Sequence, residues 1–178
     1  MQYGNGIMGD MGVHMLDTVR WMLDLGWPEH VYSTGGIYVQ KDSKATIPDT
    51  QTAAFKYEEL ECIWRHRTWG KSPDEEYHWA FTIFGANGIL KASVFKYEFT
   101  SYDGKTHIAK EAIVEPEKFP EDLVEENLGL HIAPATRRHM LDFLSAITAK
   151  TVNAASLLDG HISSASCILA NISMNVGQ

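Results

Sequence analysis

Two carboxylates and a histidine near the start of the chain are spaced to share one helix face. Asp10 and His14 are four residues apart, and Asp17 follows His14 by three, so all three side chains can project together. A histidine beside carboxylates can be held in one tautomer and exchange protons with a substrate as a general acid/base. The same spacing also suits a plain helix start, with Asp10 near the positive end of the helix dipole and His14 as a surface residue.

Hydrophobic periodicity predicts the elements that would position these residues. Apolar residues recur at helical spacing over residues 12–25, and Gly26 and Pro28 then end the pattern. Segments rich in β-branched and aromatic residues follow at 31–40, 50–57, 61–69, 77–85 and 89–99, with a further candidate at 106–113. Helical spacing returns over residues 135–149 and 157–176.

Turn formers between these segments indicate how the strands connect. Asn87-Gly88 is a strong hairpin signal, and Asp103-Gly104 is a second candidate turn. The acidic residues 111–126, which include Pro116 and Pro120, suggest a solvated connection. The order of elements therefore predicts an α+β fold with an open, mainly antiparallel sheet, helices packed on one face and the other face free.

The composition argues against several classes of partner. A formal net charge of −8 opposes nucleic-acid binding, and no apolar run approaches the roughly 20 residues of a membrane span. Cys62 and Cys167 lie far apart among apolar neighbours, which suits small buried side chains in a reducing compartment. We therefore expect a cytoplasmic protein that binds neither nucleic acid nor membrane, and we expect no metal site, because no compact ligand set is present.

The segment around His14 resembles a known family. The glycine-rich residues 4–9, the Asp10, Gly12, His14 and Asp17 pattern and the following Arg20-Trp21 are similar to the D-x-G-x-H-x-x-D helix of the Gfo/Idh/MocA oxidoreductases. The resemblance continues through residues 28–31, 34–36, 48–52, 138–144, 160–161 and 169–172. It covers nearly the whole chain, but only the C-terminal domain of that family.

This resemblance implies both an activity and a set of roles. Family members carry an N-terminal Rossmann domain, move a hydride between NAD or NADP and a sugar or polyol, and often form dimers through their open sheets. Carried across, His14 and Asp10 would be the catalytic acid/base pair, and Asp17 a substrate-binding carboxylate. His78 and His139 are further candidates for substrate contact, although a polar sheet surface and a solvated helix surface account for them equally simply.

The resemblance also implies what the chain lacks. We expect residues 1–178 to form a single substrate-binding and dimerisation domain without the Rossmann domain and without the lysine that the family supplies from it, so the chain alone should be inactive. Residues 4–9 match G-x-G-x-x-G, but only three residues precede them, which leaves no strand to open a dinucleotide-binding turn. Glu117-Lys118-Phe119 only superficially matches the family's Glu-Lys-Pro motif.

A different class of function is compatible with the same fold. A non-catalytic module could bind carbohydrate or assemble subunits through the free sheet face. Its apolar positions would be Tyr77, Trp79, Phe81, Ile83, Phe95, Tyr97 and Phe99. A Rossmann domain encoded upstream would favour the enzyme over this module.

Overall fold

The computed structural model describes residues 4–72, 74–77, 79–124 and 129–177. A π-helical turn, Met8–Gly12, leads into α1 (Val13–Leu23). Seven strands follow: β1 (His30–Gly36), β2 (Thr50–Lys56), β3 (Glu61–Arg67), β4 (Ala80–Phe84), β5 (Gly88–Ser93), β6 (Lys96–Ser101) and β7 (His107–Glu111). A 3₁₀ turn (Pro120–Leu123), α2 (Ile132–Ala149) and α3 (Leu157–Val176) complete the described elements. They form two compact units, one of residues 1–75 with 157–178 and one of residues 76–156.

The first unit is an antiparallel sheet covered by helices. Strands β1, β2 and β3 pair in that order, and side chains alternate along β2, so that Gln51, Ala53 and Phe55 are buried. Helix α3 packs on β1 and β2, and α1 packs on α3. The resulting core joins Met8, Leu16, Ala53, Phe55, Tyr57, Cys167 and Ala170. The π turn and α1 therefore rest on a packed base.

The second unit contains the other sheet, with the strand order β4-β5-β6-β7 and only antiparallel pairing. Its register places one set of apolar side chains on a common face, which we call the apolar face. The set comprises Phe81, Ile83, Leu90, Ala92, Tyr97, Phe99 and Ile108. Lys110, opposite Tyr97, is the charged residue on this face, and the other face carries Thr82, Lys91, Glu98 and His107 together with Phe84 and Ile89. Because neighbours in a strand point to opposite sides, the sheet is amphipathic.

The fold class and both turn predictions are confirmed. The chain is α+β with antiparallel sheets, although its strands form two sheets rather than one. Residues 85–88 connect β4 to β5, with the Gly85 amide donating to the Gly88 carbonyl at 2.9 Å. Gly104 adopts a φ of +70° in the turn between β6 and β7, a conformation that glycine adopts without strain.

Two predicted segments were wrong in detail. The strand predicted over residues 89–99 is two strands, because the Ser93 hydroxyl accepts the backbone N–H groups of Phe95 and Lys96 and closes a turn. The acidic connection has no buried residue among 111–124, as expected of a surface connection, but it contains a 3₁₀ turn that is tied to α2. Arg137 of α2 binds both carboxylate oxygens of Asp122 at 2.9 and 2.7 Å and stacks 3.7 Å from the centre of the Phe119 ring.

No helix in the described part of the chain combines the length and apolar character needed to cross a membrane.

Candidate active site

Asp10 and His14 lie at the junction between the π turn and α1. Both side chains are exposed, whereas Met8, Met15 and Leu16 of the same segment are buried. A π turn closes its hydrogen bonds over five residues instead of four, and such turns occur frequently at functional sites. The sequence predicted an α-helix here, because the wider turn leaves no signature in hydrophobic spacing. The junction therefore presents a carboxylate and an imidazole to the surface from a buried base.

The π turn is held at both ends. Gly6 has a φ of +67°, and a Cβ added there would lie 3.4 Å from the Cβ of Ile47. A Cβ on Gly12 would lie 3.5 Å from Cε2 of Trp64 in β3. The Asn171 side chain donates to the Asn5 carbonyl at 2.6 Å. The glycine-rich segment is thus hydrogen-bonded to α3 and lies close to Ile47 within the first unit.

Asp17 takes part in a polar network that fastens α1 to α3. The Ser163 hydroxyl donates to Oδ1 of Asp17 at 2.6 Å, and Arg20 Nη1 donates to the same hydroxyl at 2.5 Å. Arg20 is only 3% exposed, and its Nη2 lies 3.8 Å from a carboxylate oxygen of Asp159. The sequence did not reveal this network, because Ser163 and Asp159 are more than 140 positions from Asp17 and carry no recognisable motif.

His78 and His139 are the other predicted substrate-binding residues. His78 lies outside the described residues. His139 is exposed on α2, in the second unit. Both roles in substrate binding stay predictions.

His66 on β3 is a buried structural residue. Its Nδ1 accepts the indole N–H of Trp64 at 3.1 Å, and its Nε2 faces the Pro48 carbonyl at 3.5 Å. Burial lowers the pKa of His66, and the Pro48 carbonyl and the negative charge of Asp49 only partly offset that effect. The ring is therefore neutral at physiological pH.

The described residues do not form a dinucleotide-binding turn. Every strand pair in them is antiparallel, whereas a dinucleotide-binding turn connects parallel strands through a helix. Gly6 approaches Ile47 and Pro48, and Gly9 lies within the π turn. Within the same residues, no group of three or more His, Cys, Asp or Glu side chains could hold a metal ion.

Several solved structures share this fold. A Thermotoga maritima protein assigned as an oxidoreductase matches with a TM-score of 0.63 at 17% identity, over 94% of this chain and 44% of its own. A T. maritima protein assigned as a dehydrogenase matches with a TM-score of 0.59 at 16% identity, over 99% of this chain and 49% of its own. UDP-N-acetylglucosamine 3-dehydrogenase GnnA from Acidithiobacillus ferrooxidans matches with a TM-score of 0.54 at 15% identity, over 96% of this chain and 48% of its own. The chain spans about half the length of these structures.

The sequence itself carries a family match. No curated protein is significantly similar to the chain. The family model described as the GFO/IDH/MocA C-terminal domain matches residues 1–91, which include the π turn, α1, the first sheet, β4 and most of β5. Since this match covers just over half of the 178 residues and includes Asp10, His14 and Asp17, the chain belongs to the Gfo/Idh/MocA C-terminal domain family.

Proposed function

We propose that this chain is the substrate-binding and oligomerisation domain of an NAD- or NADP-dependent oxidoreductase that acts on a CH–OH group of a sugar or polyol. The observation that carries the proposal is that Asp10 of the π turn and His14 at the start of α1 are both exposed, on a segment anchored at both ends of the turn. The fold it shares with a UDP-N-acetylglucosamine 3-dehydrogenase supports a sugar as substrate.

The part played by this chain would be proton transfer. His14 would take the proton of the substrate hydroxyl during oxidation and return it during reduction. Asp10, about one helical turn before it, would orient the ring. Hydride transfer is the chemistry that a nicotinamide supplies when bound. A nucleotide-binding domain apart from the described residues would bind that cofactor. The chain alone should therefore be inactive.

The anchoring of α1 supports a catalytic role for His14. A general base must be held within hydrogen-bond reach of its proton, so it works best on a rigid element. The Arg20 network joins α1 to α3, and Met15 and Leu16 beside His14 are buried. Oδ1 of Asp17 accepts a hydrogen bond from Ser163 in this network, yet the Asp17 side chain is 49% exposed. It can therefore also bind a substrate hydroxyl.

The apolar face of the second sheet supports a homo-oligomer. Tyr97 and Ile108 on this face are 37% and 44% exposed, and aromatic side chains are typical of interfaces. Tyr77 belongs to the other face, because its hydroxyl donates to Glu98 and the ammonium groups of Lys91 and Lys96 lie over its ring.

The unpaired cysteines Cys62 and Cys167 support a reducing, cytoplasmic location.

An assay of the enzyme that contains this chain tests the proposal. Purified enzyme would be incubated with NAD⁺ or NADP⁺ and a panel of sugars, sugar nucleotides and polyols, and formation of the reduced nicotinamide followed by absorbance. We expect turnover with at least one CH–OH substrate. Carbohydrate binding without any turnover across the panel would instead support the non-catalytic module.

A further inference from the structure

Asp49, which precedes β2, is a buried carboxylate with a complete set of donors. It is 3% exposed. Its Oδ1 accepts the Tyr38 N–H at 3.1 Å and the Thr50 hydroxyl at 2.8 Å, and its Oδ2 accepts the N–H groups of Val39 and Gln40 at 2.8 and 2.7 Å. Burial alone would raise the pKa of Asp49, but these hydrogen bonds outweigh burial and hold the pKa well below its usual range.

The backbone of Asp49 joins the ends of two further strands. Its N–H donates to the Gly36 carbonyl at the end of β1 at 3.1 Å, and its carbonyl accepts the Thr68 N–H beyond β3 at 2.9 Å. Asp49 therefore fixes both ends of the loop of residues 37–48, which connects β1 to β2.

Two routes lead from this loop to the π turn. The first is direct, because Ile47 and Pro48 pack against Gly6, where a Cβ would lie within 3.4 to 3.7 Å of their atoms. Gly6 comes immediately before Ile7, the residue that caps the π turn.

The second route passes through β3. The Pro48 carbonyl faces Nε2 of His66 at 3.5 Å, and Nδ1 of His66 accepts the Trp64 indole N–H at 3.1 Å. Trp64 in turn packs on the core that includes Met8 of the π turn, and a Cβ added at Gly12, the last residue of the turn, would lie 3.5 Å from its ring. The two routes therefore reach the turn at its opposite ends, with Asp10 between them.

We propose that Asp49 is a positioning residue for the Asp10 and His14 pair, acting through Ile47 and Pro48 on one end of the π turn and through His66 and Trp64 on the other. The positioning of the π turn by Asp49 does not depend on the reaction. The effect of Asp49 on turnover rests on the function proposed above.

Hydrogen exchange in the full chain tests the structural part. In Asp49→Asn one oxygen becomes an NH₂ group, so two of the four donors lose their acceptor. We expect the amides of residues 38–40 and, remotely, those of residues 7–13 to exchange at least about fivefold faster. The matched control is Asp103→Asn, which removes a turn carboxylate bound to Ser101 and Lys105 in the second unit. It should leave residues 7–13 unchanged.

A second variant protects the test against a general loss of stability. Trp64→Phe keeps an aromatic ring but removes the donor to His66 and the part of the indole that faces Gly12, so exchange should quicken near residues 10–13 and not at 38–40. The proposal would be overturned if Asp49→Asn speeds exchange at residues 38–40 but not at 7–13, and Trp64→Phe leaves exchange at the turn unchanged.

Steady-state kinetics of the active enzyme separate positioning from catalysis. We expect Asp49→Asn to lower kcat by about tenfold with KM nearly unchanged, because misplacing a catalytic group by a fraction of an ångström is sufficient for such a loss. If His14→Ala is fully active while the exchange results hold, the proposed function fails and the positioning of the turn stands. Unchanged kcat in Asp49→Asn alongside an inactive His14→Ala would refute the positioning role.

Discussion

Arg20 is a buried cation whose hydrogen-bond partners are Gly26, just after α1, and two residues of α3. Its guanidinium donates to the Gly26 carbonyl at 3.2 Å, to the Asp159 carbonyl at 3.0 Å and to the Ser163 hydroxyl at 2.5 Å. Buried charges persist in proteins when their donors are satisfied in this way. The network ties the C-terminal part of α1 to the first turns of α3, and so fixes the helix that carries His14.

Removing this cation should destabilise the first unit. Arg20→Ala removes the donor to Ser163 and to the Gly26 and Asp159 carbonyls and opens a cavity, and we expect a loss of roughly 2 to 4 kcal/mol in the free energy of unfolding. Urea denaturation followed by circular dichroism measures it. Arg65→Ala, an exposed arginine on β3, is the control and should change stability by less than about 0.5 kcal/mol. Equal effects of the two variants would contradict the structural role of the network.

The strand β3 makes the first unit sensitive to acid. His66 has a lowered pKa because it is buried, so the unfolded chain binds a proton more readily than the folded chain. Stability should therefore be greatest above the usual histidine pKa of about 6.5 and fall as the pH drops below it. Protonation also turns Nδ1 into a donor that faces the indole N–H of Trp64.

Urea titrations at several pH values between about 5 and 8 would check this dependence. In His66→Gln the fall in stability on acidification should be smaller than in the wild type. His30→Gln, a substitution of an exposed histidine at the start of β1, serves as the control. An equal pH dependence in all three proteins would exclude His66 as its source.

The sequence predicts an element correctly where the local pattern of residue types determines its structure. The alternating pattern of β2, the Asn87-Gly88 hairpin and α3 at residues 157–176 follow from local chemistry. The π turn, the Ser93 turn and the binding of Asp122 by Arg137 depend on contacts that local sequence does not encode. Likewise, the spacing of Asp10 and His14 indicated the site, whereas the Arg20 and Asp49 networks required tertiary structure.

Assembly of the whole molecule should depend on the apolar face. Sedimentation is expected to show a dimer of the chain, and Ile108→Glu should shift it towards monomer, because a charge on this face would be desolvated in the interface. Ala109→Glu adds the same charge to the opposite face of β7 and is the matched control. A monomeric wild type, or equal behaviour of the two variants, would contradict this interface.

Turnover of His14→Ala in the active enzyme decides whether this chain carries out the proton transfer. The account predicts that kcat falls by at least about 10²-fold while circular dichroism and the unfolding midpoint stay unchanged, because the His14 side chain is exposed. His30→Ala should retain wild-type turnover. Wild-type turnover in His14→Ala would remove His14 from the mechanism and leave the chain as a binding or assembly module.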